Sequence, residues 1–328
     1  MVEQTQHQTV DALDRRIIGA LQVDGRASWR RIAAALDEPE RTVARHGARL
    51  LEQRVVVVTG LGVRGGAVLV RGQCLQAAAR VAAGALARHP DTTFAYMLTG
   101  AADCLAEVMC PAGRLATLTL DELPGIPGLV QSTTLPVLRY FRTVHDWQPG
   151  ILTAAEADAV REYPPLTPLP TDDRVAGLGR EERTMLRALA LDGRRTHEEI
   201  ARIAGVSEPT ARRRVDWMRR TGALHIRAVV DPAVIGLPVQ AILWVKATPA
   251  KVEAVGEALL VSPLVRYVAA VMGEHQIVVD VTVPDRTALY EFVTRAPWVR
   301  HTEAIETSLV IRTLKRSGVL SDAAPEFA

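Results

Sequence analysis

The stretch Asp192–Thr221, DGRRTHEEIARIAGVSEPTARRRVDWMRRT, decides how the rest of the chain is read. A helix stops at Asp192-Gly193, because glycine accepts the left-handed conformation that helix ends favour. Thr196 caps a second helix, and Glu199 three residues on completes a capping box. That helix buries Ile200, Ala201 and Ile203 and ends near Gly205. Ser207 caps a third helix, Glu208–Thr221, with Pro209 in the first turn, where its missing N–H costs little. Ala211, Val215 and Met218 recur at i, i+4 and i+7 and mark the inward face. The outward face carries Thr210, Arg212, Arg213, Arg214, Arg219 and Arg220. Upstream, Arg180–Leu191 shows a helical stripe of Met185, Leu186 and Leu189. Downstream, Leu224–Val230 alternates like a strand and reads as a wing.

The same pattern occurs 168 residues earlier. Asp24-Gly25-Arg26 matches Asp192-Gly193-Arg194, and the register holds for about forty residues without a gap. Leu21 meets Leu189, Ile32-Ala33 meets Ile200-Ala201, Thr42 meets Thr210, and Leu50 meets Met218. A second match follows at an offset of 173, where Leu98-Thr99-Gly100 meets Val271-Met272-Gly273. The chain is therefore a duplicated two-domain unit. After each three-helix segment the pattern reads strand–helix–strand–strand–helix–strand, the split βαβ arrangement. The predicted class is α+β, with two winged helix-turn-helix domains (10–62 and 178–232) alternating with two ferredoxin-like βαββαβ domains (65–145 and 237–316). Residues 146–177 are rich in proline and read as a linker holding one short helix at Thr153–Tyr163. Residues 317–328 read as a tail.

Bulk properties narrow the function. The 328 residues suit two to four domains. Net charge is only +2, so any hold on nucleic acid must come from local charge. Three cysteines, Cys74, Cys104 and Cys110, make no disulfide framework and fit a reducing cytoplasm. No apolar run reaches the ~20 residues of a membrane span, and the first nine residues hold no signal core. Residues 178–230 carry twelve arginines against seven acids, whereas residues 11–60 carry nine against seven. A helix that is apolar on one face and basic on the other is what the major groove of double-stranded DNA admits. The expected DNA-reading residues are Ser207, Glu208, Thr210, Arg212, Arg213 and Arg214, with Arg41, Thr42 and Arg45 at the matching places in copy one. Copy one departs from the pattern: Pro39 replaces the serine cap, Glu38 replaces Val206, and Gly47 replaces Val215. A helical glycine costs about 0.5–1 kcal/mol against alanine and removes packing. The first head therefore reads as the weaker one.

Leu189–Leu224, with Asp192-Gly193-Arg194, Ile200-Ala201 and Val206 through Val215, resembles the winged helix-turn-helix of the leucine-responsive regulator (Lrp/AsnC) family, and the α+β domain that follows resembles that family's effector domain. The resemblance covers about 290 residues as two fused copies. It implies a sequence-specific transcription regulator, not an enzyme, without a cofactor or metal, cytoplasmic and away from membranes. It also implies a homo-oligomer in which one chain forms an intramolecular pseudo-dimer. The family's turn between the second and third effector strands carries a Gly-x-x-Asp-type motif at an interface that can take an amino acid. Thr99, Gly100, Ala101, Ala102 and Asp103 match it in copy one; Gly273, Glu274 and His275 stand there in copy two, without the aspartate. Backbone N–H groups of such a turn suit a carboxylate, and an acidic side chain suits an ammonium.

Two rivals stay open. Some proteins of this kind resemble siroheme decarboxylases, which occur as paired or fused copies, and a sensor that has lost DNA binding would share the same repeats. Other motifs fall away on context. Gly60–Gly65 matches G-x-G-x-x-G, but a strand pattern follows instead of a helix, which leaves a hinge as its reading. His197-Glu198-Glu199 lacks the second histidine of a zinc-protease motif, since Ala201 stands there. Cys104 and Cys110 lack metal-clip spacing and read as small hydrophobes.

Overall fold

The computed structural model describes residues 10–62, 65–111, 113–163 and 175–321. In chain order, copy one gives α1 (Ala12–Val23), α2 (Trp29–Leu36), α3 (Glu40–Glu52) and β1 (Val56–Gly62). Then come β2 (Ala67–Cys74), α4 (Ala79–Arg88), β3 (Thr92–Leu98), β4 (Cys104–Met109), α5 (Leu115–Thr117) and β5 (Leu129–Arg142). A short α6 (Ala154–Val160) precedes copy two: α7 (Arg180–Leu191), α8 (His197–Ala204), α9 (Glu208–Arg220) and β6 (Leu224–Val230). The chain ends with β7 (Val239–Lys246), α10 (Val252–Leu259), β8 (Val265–Val271), β9 (Ile277–Val283), α11 (Arg286–Arg295), β10 (Ala304–Arg316) and β11 (Val319–Leu320). Among the described residues no helix is long and apolar enough to cross a membrane.

The domains alternate in sequence but sort into two compact units. One gathers the chain up to Gly62, the described part of Gln148–Leu166, and Gly177–Pro238; the other holds both βαββαβ segments. In the first unit each head buries an apolar stripe, Ile17, Ile18, Leu21, Ile32, Val43 and Leu50 in copy one, and the predicted Met185, Leu189, Ile200, Ala211, Val215 and Met218 in copy two. Ile203 is 40% exposed, against expectation. The strand that follows each head does not fold back as a private wing. β1 and β6 pair with each other, antiparallel, from Val56↔Val230 to Gly62↔Leu224. Two lone strands satisfy their backbone groups on one side by joining the heads into a pseudo-dimer.

The Asp-Gly-Arg repeat is the clamp on that seam. Gly193 does not take the left-handed conformation; the residue before it is extended, at φ −152°. Glycine is needed because the loop presses on the ribbon. A Cβ on Gly25 would come within 2.8 Å of Val58 and 2.9 Å of the Arg227 backbone, and one on Gly193 within 2.8 Å of Val58. Gly25 N–H donates to Ile226 O and Gly193 N–H to Val58 O. Arg26 then donates across the pseudo-twofold to the carbonyls of Gly193 and Arg195, both at 2.9 Å. Arg194 reciprocates, donating to Gly25 at 2.8 Å and Ala27 at 3.4 Å.

The expected linker is partly built into this unit. Thr153 and Glu156 form a capping box on α6, which is shorter than predicted. Ala157 and Val160 are buried, and Glu156 pairs with Arg16 at 2.7 Å. The hydrogen bond from Arg16 draws the Glu156 carboxyl down to about 2. Most of the proline-rich stretch, 164–174, lies outside the described residues, as do Val63 and Arg64 of the expected hinge.

In the second unit the two ferredoxin-like sheets share their long last strands. β5 pairs with β2 through Leu129–Pro136 and with β8 through Val137–Arg142. β10 pairs with β7 through Ala304–Leu309 and with β3 from Val310 to Lys315. The order β10-β3-β4-β2-β5-β8-β9-β7 closes on itself through β10–β7 into an eight-stranded barrel. The predicted tail begins as a hairpin, since β11 pairs with β10. Phe94, Tyr96, Trp244 and Tyr267 share one buried cluster across both halves. Two acids 173 residues apart, Glu107 and Asp280, are also buried. Asp280 meets Tyr96 at 3.1 Å, Gln240 at 2.9 Å and Arg266 at 3.4 Å. Glu107 accepts from Tyr267 at 2.8 Å, Tyr140 at 3.1 Å and Thr93, and burial pushes its carboxyl above the usual range.

Candidate nucleic-acid interface and effector pocket

α9 sorts its arginines into two jobs. Arg212 and Arg213 are exposed, and Arg213 makes no hydrogen bond or ion pair among the described residues. Arg212 reaches back to Glu208 at 3.0 Å, a solvent-facing i, i+4 pair that a phosphate can displace at little cost. Arg214 faces α7 instead, between Glu181 at 3.4 Å and Glu182 at 3.2 Å. Arg219 is buried against copy one, on Asp24 at 2.8 Å, Glu162 at 3.0 Å and the ring of Tyr163. The local surplus of arginines therefore overstates the free charge. Ser207 stands at the N-cap as predicted, but its hydroxyl meets the Thr210 hydroxyl at 2.9 Å and not a helix N–H.

In α3, Arg41 and Arg45 are exposed, Thr42 is half-buried, and Arg41 has no partner among the described residues. The reader helix is bolted to the first helix in the place where copy two uses Arg214 and Glu182. Here His46 meets Asp14 at 2.8 Å and Arg49 meets it at 2.5 Å. Burial raises the Asp14 carboxyl, but Arg49 and His46 outweigh it and hold it below its ordinary value. Asp11, Asp14 and His46 form one group that could hold a cation among the described residues. Arg49 already neutralises Asp14, so the group serves as a bolt.

Gly47 leaves no hole. A Cβ there would strike the Trp29 ring at 2.4 Å. Copy one has exchanged sizes: Trp29 and Gly47 stand where copy two has His197 and Val215. Arg194 of the clamp lies 4.5 Å over the Trp29 ring. The sequence argument for a weakened first head thus fails on packing, because it compared one position without its neighbour.

The predicted effector turns are both present, with glycines at positive φ, Gly100 at 99° and Gly273 at 149°. They are used differently. Asp103 accepts from Cys74 N–H at 2.7 Å, and Thr99 is stitched to Leu309 through N–H and hydroxyl; both serve the fold. Ala102 is buried. A pocket of about 230 Å³ instead lies on the copy-two turn, with Gly273, Glu274, His275 and Trp244 and, from copy one, Arg71 and Ala101 on its wall. Arg71 lies 4.6 Å over Trp244 and pairs with Glu306 at 2.6 Å; His275 lies 4.0 Å from the same carboxylate. The Trp244 indole N–H is buried and has no hydrogen-bond partner among the described residues. Arg71 and Trp244 were missed from sequence. They occupy equivalent repeat positions, and only the barrel brings them together.

A profile described as the AsnC-type helix-turn-helix domain matches residues 10–51 and 182–219, and one described as the Lrp/AsnC ligand binding domain matches 240–320. An uncharacterised HTH-type transcriptional regulator of Pyrococcus horikoshii is 37% identical over 113 residues, 34% of this chain and 72% of that protein. The chain belongs to the Lrp/AsnC family. A second relative from the same organism, HTH-type transcriptional regulator FL11, is 25% identical over 42% of this chain and 91% of its own length. A single-unit relative thus spans less than half of this Lrp/AsnC-family chain, as a duplication requires. Among solved structures, the siroheme decarboxylase NirDL covers 93% of both chains at a TM-score of 0.59 and 13% identity, a likeness of fold alone.

Proposed function

We propose that the chain is a transcription regulator that docks both heads on DNA, α3 and α9 each presenting exposed arginines to a groove, and that a small zwitterion in the barrel pocket modulates it. The observation that carries the reading is the split between outward arginines and bolted ones. Arg41, Arg45, Arg212 and Arg213 stay exposed while Asp14, Glu181 and Glu182 fix the helices behind them. Rigid helices with outward-facing cations lose little entropy on binding phosphate. Fluorescence anisotropy on selected genomic fragments tests it. Arg213→Ala and Arg41→Ala should each weaken binding and lower the salt slope by about 0.9 for every phosphate the arginine neutralises. An unchanged slope for one of them would retire that head.

For the pocket, Arg71 suits a carboxylate, Glu274 and Glu306 suit an ammonium, and the Trp244 face suits an apolar side chain. An amino acid fits this set. A thermal-shift screen should find a hit that Arg71→Ala abolishes. The regulator reading, not an enzymatic one, is favoured because the relatives named as regulators are 37% and 25% identical over the residues they match, against 13% for the decarboxylase.

A further inference from the structure

The two copies part company at the foot of the copy-one turn. In copy two, Val245 pairs with Ile277 across β7 and β9, and Ala247 follows two residues on, on the same face. All three are buried in one apolar cluster. Copy one, 173 residues earlier, has Gly72 paired with Cys104 across β2 and β4, followed by Cys74. The stitch between strand and turn is common to both. Asp103 accepts from Cys74 N–H at 2.7 Å, as Gln276 accepts from Ala247 N–H at 3.1 Å. What differs is the sulfur. The Sγ atoms of Cys74 and Cys104 lie 3.9 Å apart. Gly72 makes the room, since a Cβ there would come within 2.7 Å of the Cys104 Sγ.

The two thiols are unequal. Cys74 is half-buried between exposed Gln73 and Leu75, whereas Cys104 is buried. The hydrogen bond from Cys104 holds the Cys74 thiol below its ordinary value, and that bond together with burial pushes Cys104 up. The outer sulfur is thus the nucleophile and the inner one the resolving group. Cys74 also stands at a break in register with β5, between Gln73↔Gln131 and Cys74↔Leu129. Bonding needs the sulfurs to close to about 2 Å, a side-chain movement that an irregular ladder accommodates.

We propose that Cys74 and Cys104 form a reversible disulfide when the protein meets a hydroperoxide. The Cys74 sulfur attacks the hydroperoxide and the O–O bond breaks. Cys74 keeps one oxygen as a sulfenic acid, and the other leaves with the thiol's proton as an alcohol, or as water from hydrogen peroxide. Cys104 then attacks the Cys74 sulfur, the S–O bond breaks, and hydroxide leaves and takes the Cys104 proton to become water. The two thiols lose two electrons in all, and the hydroperoxide gains them. A dithiol reverses the reaction by exchange. The bond spans Gly72, whose carbonyl accepts from Asp103 N–H at 2.9 Å, so it fixes the base of the copy-one turn. The site does not rest on the effector reading above.

Treatment of the reduced full chain with excess hydrogen peroxide tests it, read by thiol counting after denaturation and by peptide mass mapping. The three thiols per chain should fall to one, with a Cys74–Cys104 peptide pair lighter by two hydrogens. Dithiothreitol should restore all three. Cys110→Ala should leave the same pair reacting. Cys74→Ala, which copies Ala247 of copy two, should keep Cys104 reduced. In Cys104→Ala, Cys74 should stop at the sulfenic acid, which dimedone present throughout traps. Should that buried change prevent folding, Cys74→Ala at the half-buried position still decides. Three thiols surviving, a link through Cys110 or to a second chain, or a product that dithiothreitol does not reverse would overturn the proposal. So would oxidation of Cys104 in Cys74→Ala at the natural rate.

Discussion

Replacing Gly47 by the copy-two valine puts a side chain where the Trp29 ring now lies 2.4 Å from an ideal Cβ. Valine gains a few tenths of a kcal/mol in helix propensity over glycine. Overpacking a filled site costs about 1–3 kcal/mol, so Gly47→Val alone should destabilise head one by ~1–2.5 kcal/mol. Trp29→His alone removes the ring that fills the glycine's space and its stacking under Arg194, worth about 2–3 kcal/mol together. If the two positions are one packing unit, the double variant recreates the His197–Val215 pair of copy two. It should then cost only ~1–2 kcal/mol, against about 3–5.5 for independent sites. Because the chain has two units, a single global melt is unsuitable. Native-state hydrogen exchange of α2 and α3 amides reads the opening free energy of head one directly. Destabilisations that add to within ~0.5 kcal/mol would refute the size exchange.

Arg26→Met and Arg194→Met each remove charged donors to two carbonyls of the other head, and each should cost about 2 kcal/mol, read as faster exchange of β1 and β6 amides. Arg214→Met should lower head-two stability by up to ~1 kcal/mol, discounted for its partial exposure, whereas Arg213→Met should lower DNA affinity and leave stability unchanged; the reverse would mean the outward face is misassigned. Glu107 holds its proton more tightly in the folded barrel than in the unfolded chain, so its contribution is full below about pH 4.3 and is lost as pH rises through the folded value. The stability of the Glu107→Gln barrel relative to the natural one, read from the opening free energies of β2–β4 amides by native-state hydrogen exchange, should therefore climb with pH, and parallel curves between pH 4 and 8 would count against a buried acid whose affinity for its proton is raised.

The helices, the duplication and the ferredoxin order were legible because each rests on local spacing: Ala211, Val215 and Met218 mark a face by themselves. What sequence reading missed depends on the other copy. The strand after each head looks the same whether it turns back as a wing or crosses to its twin. The Asp-Gly-Arg motif was visible as a repeat, but its arginine acts on carbonyls 167 and 169 residues away. Gly47 looked like a defect until Trp29 came beside it. Counting arginines could not tell Arg213 from Arg214, since helix rotation alone turns one toward Glu182 and the other to solvent.

The strand changeover at β5 and β10 bears on how the protein behaves at low copy number. In two separate chains, the seams β5–β8, β3–β10 and β1–β6 would form by collision and would loosen on dilution. Here covalent continuity sets the local concentration of one half around the other, whatever the number of molecules in the cell. Mass action no longer governs whether the pair exists. The halves are also released from self-complementarity: a residue on one side of a seam need only suit the other side, not a copy of itself. Differences such as Arg71 against Trp244 can then accumulate without breaking the ring, and the two halves of one polypeptide are free to specialise.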